Sequence, residues 1–457
     1  MLKIVRRSYR PAIPHLLVQL KRVAFEATKK LPVHEEIRRL FPKTSDQFVM
    51  EGVQRSDQSL LQLKIGVVFS GGPAPGGHNV IAGLFDAGCQ LVGFLNGPEG
   101  IVEGRTVSLT AEKIDAYRNL GGFELIGTGR LKIETESQLE AALRSVKGFD
   151  GLVIIGGDDS NTNAAVLAEY FLTHHCTTKV IGVPKTIDGD LQNPYVQISF
   201  GFDTATKIYA EMIGNIASDA ISSRRYMHFI KLMGRSASHV ALECGLKTHP
   251  NLTLISEENQ TLSQITRRIA DLVEKRAGRG YGVILIPEGL IQNLPIPPHT
   301  VDPHGNVNLS AIETEQLLIQ NVTDELKRRN FSDTFNGVPH FFGYEGRCGF
   351  PSNFDANYGY TLGLVAALLI AHRQTSMMAF VGNLTAPVSQ WTIGGLPLTT
   401  QMSMEERGGK KKPLIQKTYV DLNGNPYKKL QESWELSDDY QSPGPMQFDD
   451  SIPLILQ

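Results

Sequence analysis

The sequence predicts an α/β protein built from two Rossmann-like domains with parallel sheets, preceded by an N-terminal extension. Three observations predict it: short apolar runs of strand length, helix-like stretches between them, and glycine-rich or charged turns directly after the runs. This alternation is typical of parallel sheets covered by helices on both faces. Ligands bind beyond the carboxyl ends of the strands in such sheets. The turns after the strands are therefore the candidate functional regions.

The predicted elements follow from the apolar pattern along the chain. Five buried strands are predicted at residues 64–69, 151–155, 179–183, 228–232 and 281–286. Seven helices are predicted at residues 76–88, 161–173, 203–220, 236–245, 262–276, 311–329 and 356–373. The proline-rich segment 294–303 and the charged segment 405–412 are predicted to be exposed loops. No run of about 18 apolar residues occurs, so a transmembrane helix is not predicted.

Composition argues against several classes of partner. The 457 residues include 45 basic and 47 acidic side chains, so no bulk charge favours nucleic acid or an anionic membrane. The four cysteines form no CxxC pair, which favours free thiols in a reducing compartment and a cytoplasmic location. The basic N-terminus has the composition of a weak targeting segment. Pro11 and Pro14 favour a basic surface helix instead, because they interrupt a long amphipathic helix.

The first candidate site follows the strand at 64–69. Four glycines lie within Ser70–His78, so the backbone can approach a ligand closely. The helix that follows would present free N–H groups and the positive end of its dipole, which suits a phosphate. The segment fits neither a Walker motif nor GxGxxG, so a phosphate loop and a tight structural turn both remain open.

The second candidate site is the acidic loop Gly156–Asn161, which contains the adjacent carboxylates Asp158 and Asp159. Neighbouring carboxylates repel each other, and a cation or a Mg²⁺–polyphosphate complex would offset that repulsion. Mg²⁺ prefers one or two carboxylates together with substrate phosphates. The alternative is a helix N-cap, although a cap needs only one such residue.

The third candidate site is the loop Pro184–Asp190, which combines Lys185 with two carboxylates, Asp188 and Asp190. A carboxylate placed between a hydroxyl and a phosphate can act as a general base. A neighbouring lysine can stabilise negative charge on a transferring phosphoryl group. The alternative for this loop is a solvated turn with a surface ion pair.

Arginines occur in three further segments, 224–226, 233–238 and 343–347. Arginine is the favoured bidentate partner of phosphate, so the three positions suggest a substrate with phosphate at more than one place. Glu288, which follows another predicted strand, could accept hydrogen bonds from sugar hydroxyls. Any one of these arginines taken alone is more often a structural ion pair.

Together these segments resemble the phosphofructokinase superfamily, and within it the long, pyrophosphate-dependent class. The resemblance covers roughly residues 64–375 and rests on SGGPAPGGHNV, GGDDSNTNAA, PKTIDGDLQN, FGFDTATK, MGRSASHVALECGL, PEGL and YEGRCGFPSNFDANYG. The later segments WTIGGLPL and SPGPMQF are also similar. The resemblance implies reversible phosphoryl transfer from pyrophosphate to the 1-hydroxyl of fructose 6-phosphate, a glycolytic reaction with Mg²⁺ as cofactor.

The resemblance also implies a role for each site residue. Gly71 would contact pyrophosphate through its backbone, Asp158 would hold Mg²⁺, and Asp188 would be the general base. Arg347 would hold the 6-phosphate, and Arg235 would lie near the phosphoryl group in transfer. The substrate-binding loops would contribute Thr186, Ile187, Asp188, Met233, Gly234, Arg235, Glu288, Tyr344, Glu345, Gly346 and Arg347.

The domain organisation implied by the resemblance has four parts. They are an extension at 1–62, a pyrophosphate- and Mg²⁺-binding domain at 63–225, a fructose 6-phosphate-binding domain at 226–375, and a segment at 376–457 that packs back on the first domain. The site would lie in the cleft between the two domains. Arg225 and Tyr226 would reach the site of a neighbouring subunit, which implies a homodimer with a shared active site.

Two residues determine the phosphoryl donor in this resemblance. ATP-using members carry glycine at the positions of Asp159 and Lys185. A carboxylate at Asp159 would repel the α-phosphate of ATP, since two like charges about 4 Å apart cost about 4 kcal/mol at an effective dielectric constant of about 20. Lys185 would place positive charge beside the transferred phosphoryl group. Both residues therefore predict pyrophosphate, and both count as catalytic together with Asp188 and Arg235.

The chain departs from the long class at one point. Long-class members carry a helical insertion after the PEGL segment, whereas here only residues 291–301 separate that segment from Asp302–Asn306. The catalytic residues are unaffected, and the departure bears on the dimer arrangement and on closure over the site.

Three alternative functions are opposed by particular residues. An ATP-dependent phosphofructokinase is opposed by Asp159 and Lys185. A non-catalytic regulatory subunit is opposed by the presence of Lys185, Asp188 and Asp190. A lipid or nicotinamide-nucleotide kinase would share only the GGD loop, and the PKTIDGD and MGR segments oppose it.

Overall fold

The computed structural model describes residues 2–56, 62–294, 309–407, 410–431, 434–441 and 452–456. The chain forms two compact units. Unit 1 contains Met1–Thr186, Leu191–Gly201 and Arg347–Lys417, and unit 2 contains Ile187–Asp190, Phe202–Gly346 and Thr418–Gln457. Most of the predicted proline-rich loop, from residue 295 onward, and the SPGPMQF segment lie outside the described residues.

This division differs from the predicted boundaries at 225/226 and 375/376. Residues 202–225 belong to unit 2, residues 347–417 belong to unit 1, and residues from 418 onward belong to unit 2. The predicted extension at 1–62 is part of unit 1. The difference arises because each unit is completed by segments that are distant in sequence, whereas the prediction cut the chain between motifs.

Unit 1 is organised around a ten-stranded sheet whose five central strands are parallel and whose edge strands are antiparallel. The order across the sheet is β1 (Val23–Ala27), β2 (Met50–Gln54), β14 (Thr392–Pro397), β13 (Met377–Gly382), β7 (Lys179–Thr186), β6 (Gly151–Gly156), β3 (Lys64–Phe69), β4 (Gln90–Phe94) and β5 (Thr106–Leu109), with β8 (Phe200–Gly201) pairing with β7. A separate hairpin is formed by β15 (Met402–Arg407) and β16 (Lys410–Ile415).

The helices of unit 1 include two on which the site depends, α3 (Gly77–Asp86) and α7 (Asp158–Thr173). The others are α1 (Leu2–Arg7), α2 (Glu35–Leu40), α4 (Pro98–Glu103), α5 (Ala111–Tyr117), α6 (Glu136–Ser145) and α12 (Asn353–Ala371). Helix α6 begins at a capping box in which Thr135 accepts from the Gln138 N–H, as the TxxQ pattern dictates.

Strands β3, β6 and β7 are almost continuously apolar because helices cover both faces of the sheet. Helix α12 is long and apolar enough to cross a membrane by length and composition. It packs against α3 and β13, and 89 % of its apolar window is buried within the fold, so α12 is a core helix of unit 1.

The N-terminal region joins unit 1 through specific contacts. Strands β1 and β2 extend the sheet by pairing β2 with β14. The predicted basic surface helix corresponds to α1, but Arg6 is buried, and its guanidinium donates to Asn353 Oδ1 at 2.8 Å and to the Pro351 carbonyl at 2.7 Å. Strand pairing and the hydrogen bonds of Arg6 therefore make the N-terminal region part of unit 1.

Unit 2 is organised around a four-stranded, all-parallel sheet in the order β10-β11-β9-β12. Its strands are β9 (Met227–Leu232), β10 (Leu252–Thr253), β11 (Gly282–Pro287) and β12 (Gly337–Phe342). Its helices are α8 (Phe202–Ser223), α9 (His239–Thr248), α10 (Leu262–Lys275), α11 (Thr314–Arg328) and α13 (Asn425–Leu430). The predicted α/β class with parallel-sheet domains is confirmed.

All five predicted strands and all seven predicted helices are present, with ends displaced by three residues or fewer. Helix α10 shows why the helices could be predicted from the spacing of apolar residues. It buries Ile265, Ile269, Leu272 and Val273, which recur at helical spacing on one face.

Candidate active site

Hydrogen bonds to neighbouring residues of unit 1 fix the conformation of the glycine loop after β3. Gly71 has φ +85°, a conformation that favours glycine, and its N–H donates to the Gly129 carbonyl at 2.8 Å. The Thr128 hydroxyl donates to the Gly71 carbonyl at 2.7 Å. Gly76, with φ +106°, is the N-cap of α3. The loop therefore presents backbone at the start of α3, as a phosphate-binding loop requires.

Lys185 lies against this glycine loop. Its side chain is buried at the end of β7, and Nζ donates to the Gly72 carbonyl at 2.8 Å. A Cβ on Gly71 would come within 3.4 Å of the same Nζ. Ser160 Oγ donates to Ser70 Oγ at 2.8 Å and ties α7 to the loop. The ammonium group is thus fixed beside the backbone that would meet a phosphate.

The acidic pair occupies the first turn of α7. Gly157 is the N-cap and makes no side-chain capping hydrogen bond, so neither Asp158 nor Asp159 serves as the N-cap. Lys132 Nζ lies 3.0 Å from Asp159 Oδ1, and Lys417 Nζ lies 3.7 Å from Asp158 Oδ2. The capping alternative is therefore wrong, and each carboxylate instead faces a lysine.

The acidic pair fits a magnesium ion that arrives with a polyphosphate. Among the described residues, no group of three or more His, Cys, Asp or Glu side chains could hold a metal ion. Asp158 and Asp159 supply only two carboxylates, which matches the few protein ligands that Mg²⁺ takes when substrate phosphates complete its shell. We call Gly71, Gly72, Asp158, Asp159 and Lys185 the unit 1 cluster.

Arg347 also lies with the glycine loop in unit 1. A Cβ on Gly72 would overlap Nη2 of the Arg347 guanidinium. Thr186, at the end of β7, accepts through its carbonyl from Ser199 Oγ at 3.1 Å. The structure therefore places Arg347 beside Gly72, whereas Tyr344, Glu345 and Gly346 belong to unit 2.

In unit 2, Glu288 organises the loop after β9. Glu288 is 2 % exposed, and its Oε2 accepts from the Gly234 N–H at 3.1 Å and from the Arg235 N–H at 2.9 Å. Arg235 has φ +47°, an uncommon conformation for a residue with a side chain. Sequence reasoning expected Glu288 to meet a sugar hydroxyl, and the structure shows that Oε2 fixes the backbone of this loop.

Asp188 lies in the same unit and pairs with Arg235. Arg235 Nε is 3.8 Å from Asp188 Oδ2, and the Asp188 side chain is mostly buried while Arg235 is about half exposed. Ile187 and Asp190 are buried beside it, and the Asp190 carbonyl accepts from the Thr418 N–H and hydroxyl. We call Asp188, Gly234, Arg235 and Glu288 the unit 2 cluster.

The turn after β12 carries the remaining substrate-binding candidates of unit 2. Tyr344 is 62 % exposed, and Glu345 Oε2 accepts from the Gly343 N–H at 2.8 Å. A Cβ on Gly346 would overlap the Tyr209 ring, so that position requires glycine. Burial raises the pKa of the Tyr209 phenol well above its ordinary value, and its hydroxyl donates to the Gly343 carbonyl.

Three other candidates have distinct settings in unit 2. Met233 is buried, and its N–H donates to the Phe342 carbonyl at 2.9 Å. Arg225 and Tyr226 are exposed just after α8, and Tyr226 has φ +67°. The structure therefore separates a buried residue, Met233, from two exposed side chains that can meet a partner or solvent.

Sequence reasoning missed Lys132, Lys417 and His78. Lys132 and Lys417 contact the acidic pair from distant segments, and no local motif could have identified them. His78 follows the glycine loop and is fully buried, with Nδ1 3.0 Å from the Leu120 carbonyl. Burial lowers the pKa of His78 to about 4, so the imidazole is neutral at pH 7. Its place directly after the glycines was the available signal.

Comparison with known proteins gives consistent matches. The phosphofructokinase family model matches residues 64–370. Pyrophosphate–fructose 6-phosphate 1-phosphotransferase of Treponema pallidum is 46 % identical over 532 residues, covering 97 % of this chain and 93 % of the relative. Subunit beta of the enzyme of that name from Solanum tuberosum is 49 % identical over 483 residues, covering 91 % of this chain and 85 % of the relative.

A solved structure resembles the fold at lower identity. The pyrophosphate-dependent phosphofructokinase of Nitrosospira multiformis has a TM-score of 0.63 at 18 % identity, covering 86 % of this chain and 96 % of that one. The alignment with the Treponema relative is longer than the 457 residues of this chain. That relative therefore contains segments that have no counterpart in this chain. Such segments are expected if this chain lacks an insertion that long-class members carry.

Proposed function

Because the chain belongs to the phosphofructokinase family, we propose that it transfers a phosphoryl group reversibly between pyrophosphate and the 1-hydroxyl of fructose 6-phosphate. The products of the forward reaction are fructose 1,6-bisphosphate and phosphate. The observation that carries the proposal is the unit 1 cluster: Lys185 contacts the glycine loop, and the helix whose first turn carries the acidic pair is tied to the same loop through Ser160. Relatives that are 46 % and 49 % identical bear the name of this reaction.

In the proposed reaction the unit 1 cluster binds the donor. Backbone at Gly71 contacts pyrophosphate, and the start of α3 adds the positive end of a helix dipole. The Lys185 ammonium, fixed by the Gly72 carbonyl, stabilises negative charge on the phosphoryl group in transfer. Asp158 holds Mg²⁺, which neutralises charge on the phosphate oxygens when bound. Asp159 disfavours a nucleotide by charge repulsion.

The unit 2 cluster acts on the acceptor. Asp188 takes the proton of the sugar 1-hydroxyl as that oxygen attacks phosphorus, and the bond to the leaving phosphate breaks. Arg235, whose Nε lies 3.8 Å from Asp188, neutralises charge near the transferring group. Glu288 holds the Gly234 and Arg235 N–H groups and so keeps this arginine in place.

The sugar phosphate is proposed to be bound by residues of several loops, with Arg347 on the 6-phosphate. This set comprises Thr186, Ile187, Met233, Gly234, Glu288, Tyr344, Glu345, Gly346 and Arg347. The exposure of Arg225 and Tyr226 supports a role at a neighbouring subunit's site, and hence a homodimer. The four free cysteines support a cytoplasmic location.

The test is product formation by the purified chain. With fructose 6-phosphate, pyrophosphate and Mg²⁺, we expect fructose 1,6-bisphosphate and phosphate to form in equal amounts, and the reverse reaction to run from those two products. Chelating Mg²⁺ should abolish both directions. A folded protein that makes no fructose 1,6-bisphosphate under these conditions contradicts the proposal.

A further inference from the structure

Two lysines outside the predicted motifs face the acidic pair in unit 1. Lys132 Nζ lies 3.0 Å from Asp159 Oδ1, and Lys417 Nζ lies 3.7 Å from Asp158 Oδ2. Lys132 precedes α6, and Lys417 follows β16, so two segments far apart in sequence bring one ammonium group to each carboxylate. Lys417 is largely shielded, with 15 % of its side chain exposed, whereas Lys132 is partly exposed at 35 %.

A second lysine–carboxylate pair between the same two segments shows what an ordinary surface contact looks like here. Lys412 Nζ lies 3.0 Å from Glu134 Oε2, and nearly half of each side chain is exposed. Water and salt weaken such a pair. Lys417 is far less exposed, yet its distance to Asp158 exceeds that of a hydrogen bond. The Lys417 ammonium therefore lies close to Asp158 in a more shielded position than the Lys412–Glu134 pair.

The charges of the cluster explain why cations are needed at this position. Two adjacent carboxylates would repel a polyanionic donor, and Lys185 alone supplies a single positive charge. With Lys132 and Lys417 added, the unit 1 cluster contains three ammonium groups and two carboxylates, and two of the ammonium groups face the carboxylates. The acidic pair can then discriminate against a nucleotide and hold a cation without expelling pyrophosphate.

The positions of the three lysines indicate that the two phosphates of the donor are bound by different lysines. Lys185 lies on the glycine loop and precedes Asp188, the proposed base, by three residues in the chain, so it belongs with the transferred phosphoryl group. Lys132 and Lys417 lie at the first turn of α7 with the acidic pair. Resting on the proposed function, we propose that Lys132 and Lys417 bind the phosphate that pyrophosphate leaves behind, which is the phosphate substrate of the reverse reaction.

The test replaces each lysine by methionine, which keeps the side-chain length and removes the charge. For Lys132→Met and Lys417→Met, we expect the KM for phosphate in the reverse reaction, and the KM for pyrophosphate, each to rise about 10-fold, the loss of one charge-assisted hydrogen bond. The KM values for the two sugar phosphates should stay unchanged. Lys412→Met is the matched control and should leave all four constants unchanged.

Two further measurements keep the test decisive. Lys132→Arg and Lys417→Arg should retain phosphate affinity within about threefold, because charge is kept; Lys→Gln variants replace any methionine variant that does not fold. Calorimetric titration with Mg²⁺–pyrophosphate measures binding without turnover. The dissociation constant should rise in the methionine variants and stay close to that of the wild type in the arginine variants and in Lys412→Met.

The outcomes separate this inference from the proposed function. An active wild-type protein whose methionine variants keep their phosphate and pyrophosphate constants overturns the inference and leaves the function standing. A wild-type protein that binds Mg²⁺–pyrophosphate but makes no product, with binding lost in the variants, supports the site and overturns the function. A wild-type protein that does not bind Mg²⁺–pyrophosphate overturns both.

Discussion

The unit 1 cluster and the unit 2 cluster use charged residues in different ways. In unit 1, Lys185 and the acidic pair present side-chain charges at strand and helix ends, each beside a partner in the same unit. In unit 2, the buried Glu288 uses one carboxylate oxygen to fix the backbone of the loop that carries Arg235. In the proposed function, donor recognition thus depends on individual side-chain charges, and Glu288 contributes on the acceptor side by fixing backbone conformation. Substitution of Asp159 in unit 1 should therefore change donor specificity, whereas substitution of Glu288 in unit 2 should change stability.

The largest expected effect belongs to Asp188. Asp188→Asn keeps the size of the side chain and removes the proposed base, so we expect kcat to fall by about 100- to 10,000-fold. Stability should change little, because the Arg235 side chain that pairs with Asp188 is about half exposed. Steady-state kinetics and thermal unfolding measure the two effects. A kcat within tenfold of wild type would mean that another group takes the proton.

The next prediction concerns the loss in free energy of unfolding, which should differ between the two clusters. Glu288→Ala leaves the Gly234 and Arg235 N–H groups without their acceptor, which should lower the free energy of unfolding by about 2 kcal/mol or more. Asp159→Ala breaks a partly exposed pair with Lys132 and should cost less than about 1 kcal/mol. Denaturant unfolding of both variants measures the contrast. Equal losses would remove the distinction between the clusters.

A third effect is a dependence of stability on pH in unit 1. Burial lowers the pKa of His78 from its ordinary 6.5 to about 4, so between those pH values the unfolded chain binds a proton that the folded protein does not. The free energy of unfolding should therefore fall as pH falls from about 6.5 to 4, by about 3 kcal/mol at most from this group. His78→Asn, which can still donate to Leu120, should flatten this slope.

The control for the His78 experiment is the exposed His34. His34→Asn should leave the slope of unfolding free energy against pH unchanged, since that side chain is in contact with solvent. Urea unfolding at several pH values between 4 and 7 gives both slopes. A slope that survives His78→Asn in full would assign the dependence to other buried histidines.

Much of the fold could be predicted because its parallel strands are short apolar runs. Strands β3, β6, β7, β9 and β11 were identifiable, since burial on both faces makes each run apolar. Strands β1, β2 and β14 were not predicted, because charged residues or glycines interrupt their apolar pattern. Strand β2 also pairs antiparallel with β14, which is far away in sequence. The division into units was missed for the same reason.

The candidate site was predictable where chemistry follows a strand. The glycine loop, the acidic pair and Lys185 lie close together in unit 1, as expected for segments that each follow a predicted strand, although Lys185 lies within β7 and not in the loop after it. Lys132 and Lys417 were not predictable, because only the folded chain brings residues 132, 158, 159 and 417 together. The backbone contacts of Glu288 were missed because a sequence does not show which partner a buried carboxylate takes.

The most direct test of the central claim is the ratio of kcat/KM with pyrophosphate to kcat/KM with ATP. We expect the wild-type chain to use pyrophosphate without measurable use of ATP, and we expect Asp159→Gly to acquire ATP activity because it loses the repelling carboxylate. Glu136→Gly, which also replaces a carboxylate by glycine in the first turn of a unit 1 helix, should leave the ratio unchanged. A wild-type preference for ATP, or a ratio that Asp159→Gly does not alter, would contradict the assignment of donor choice to the unit 1 cluster.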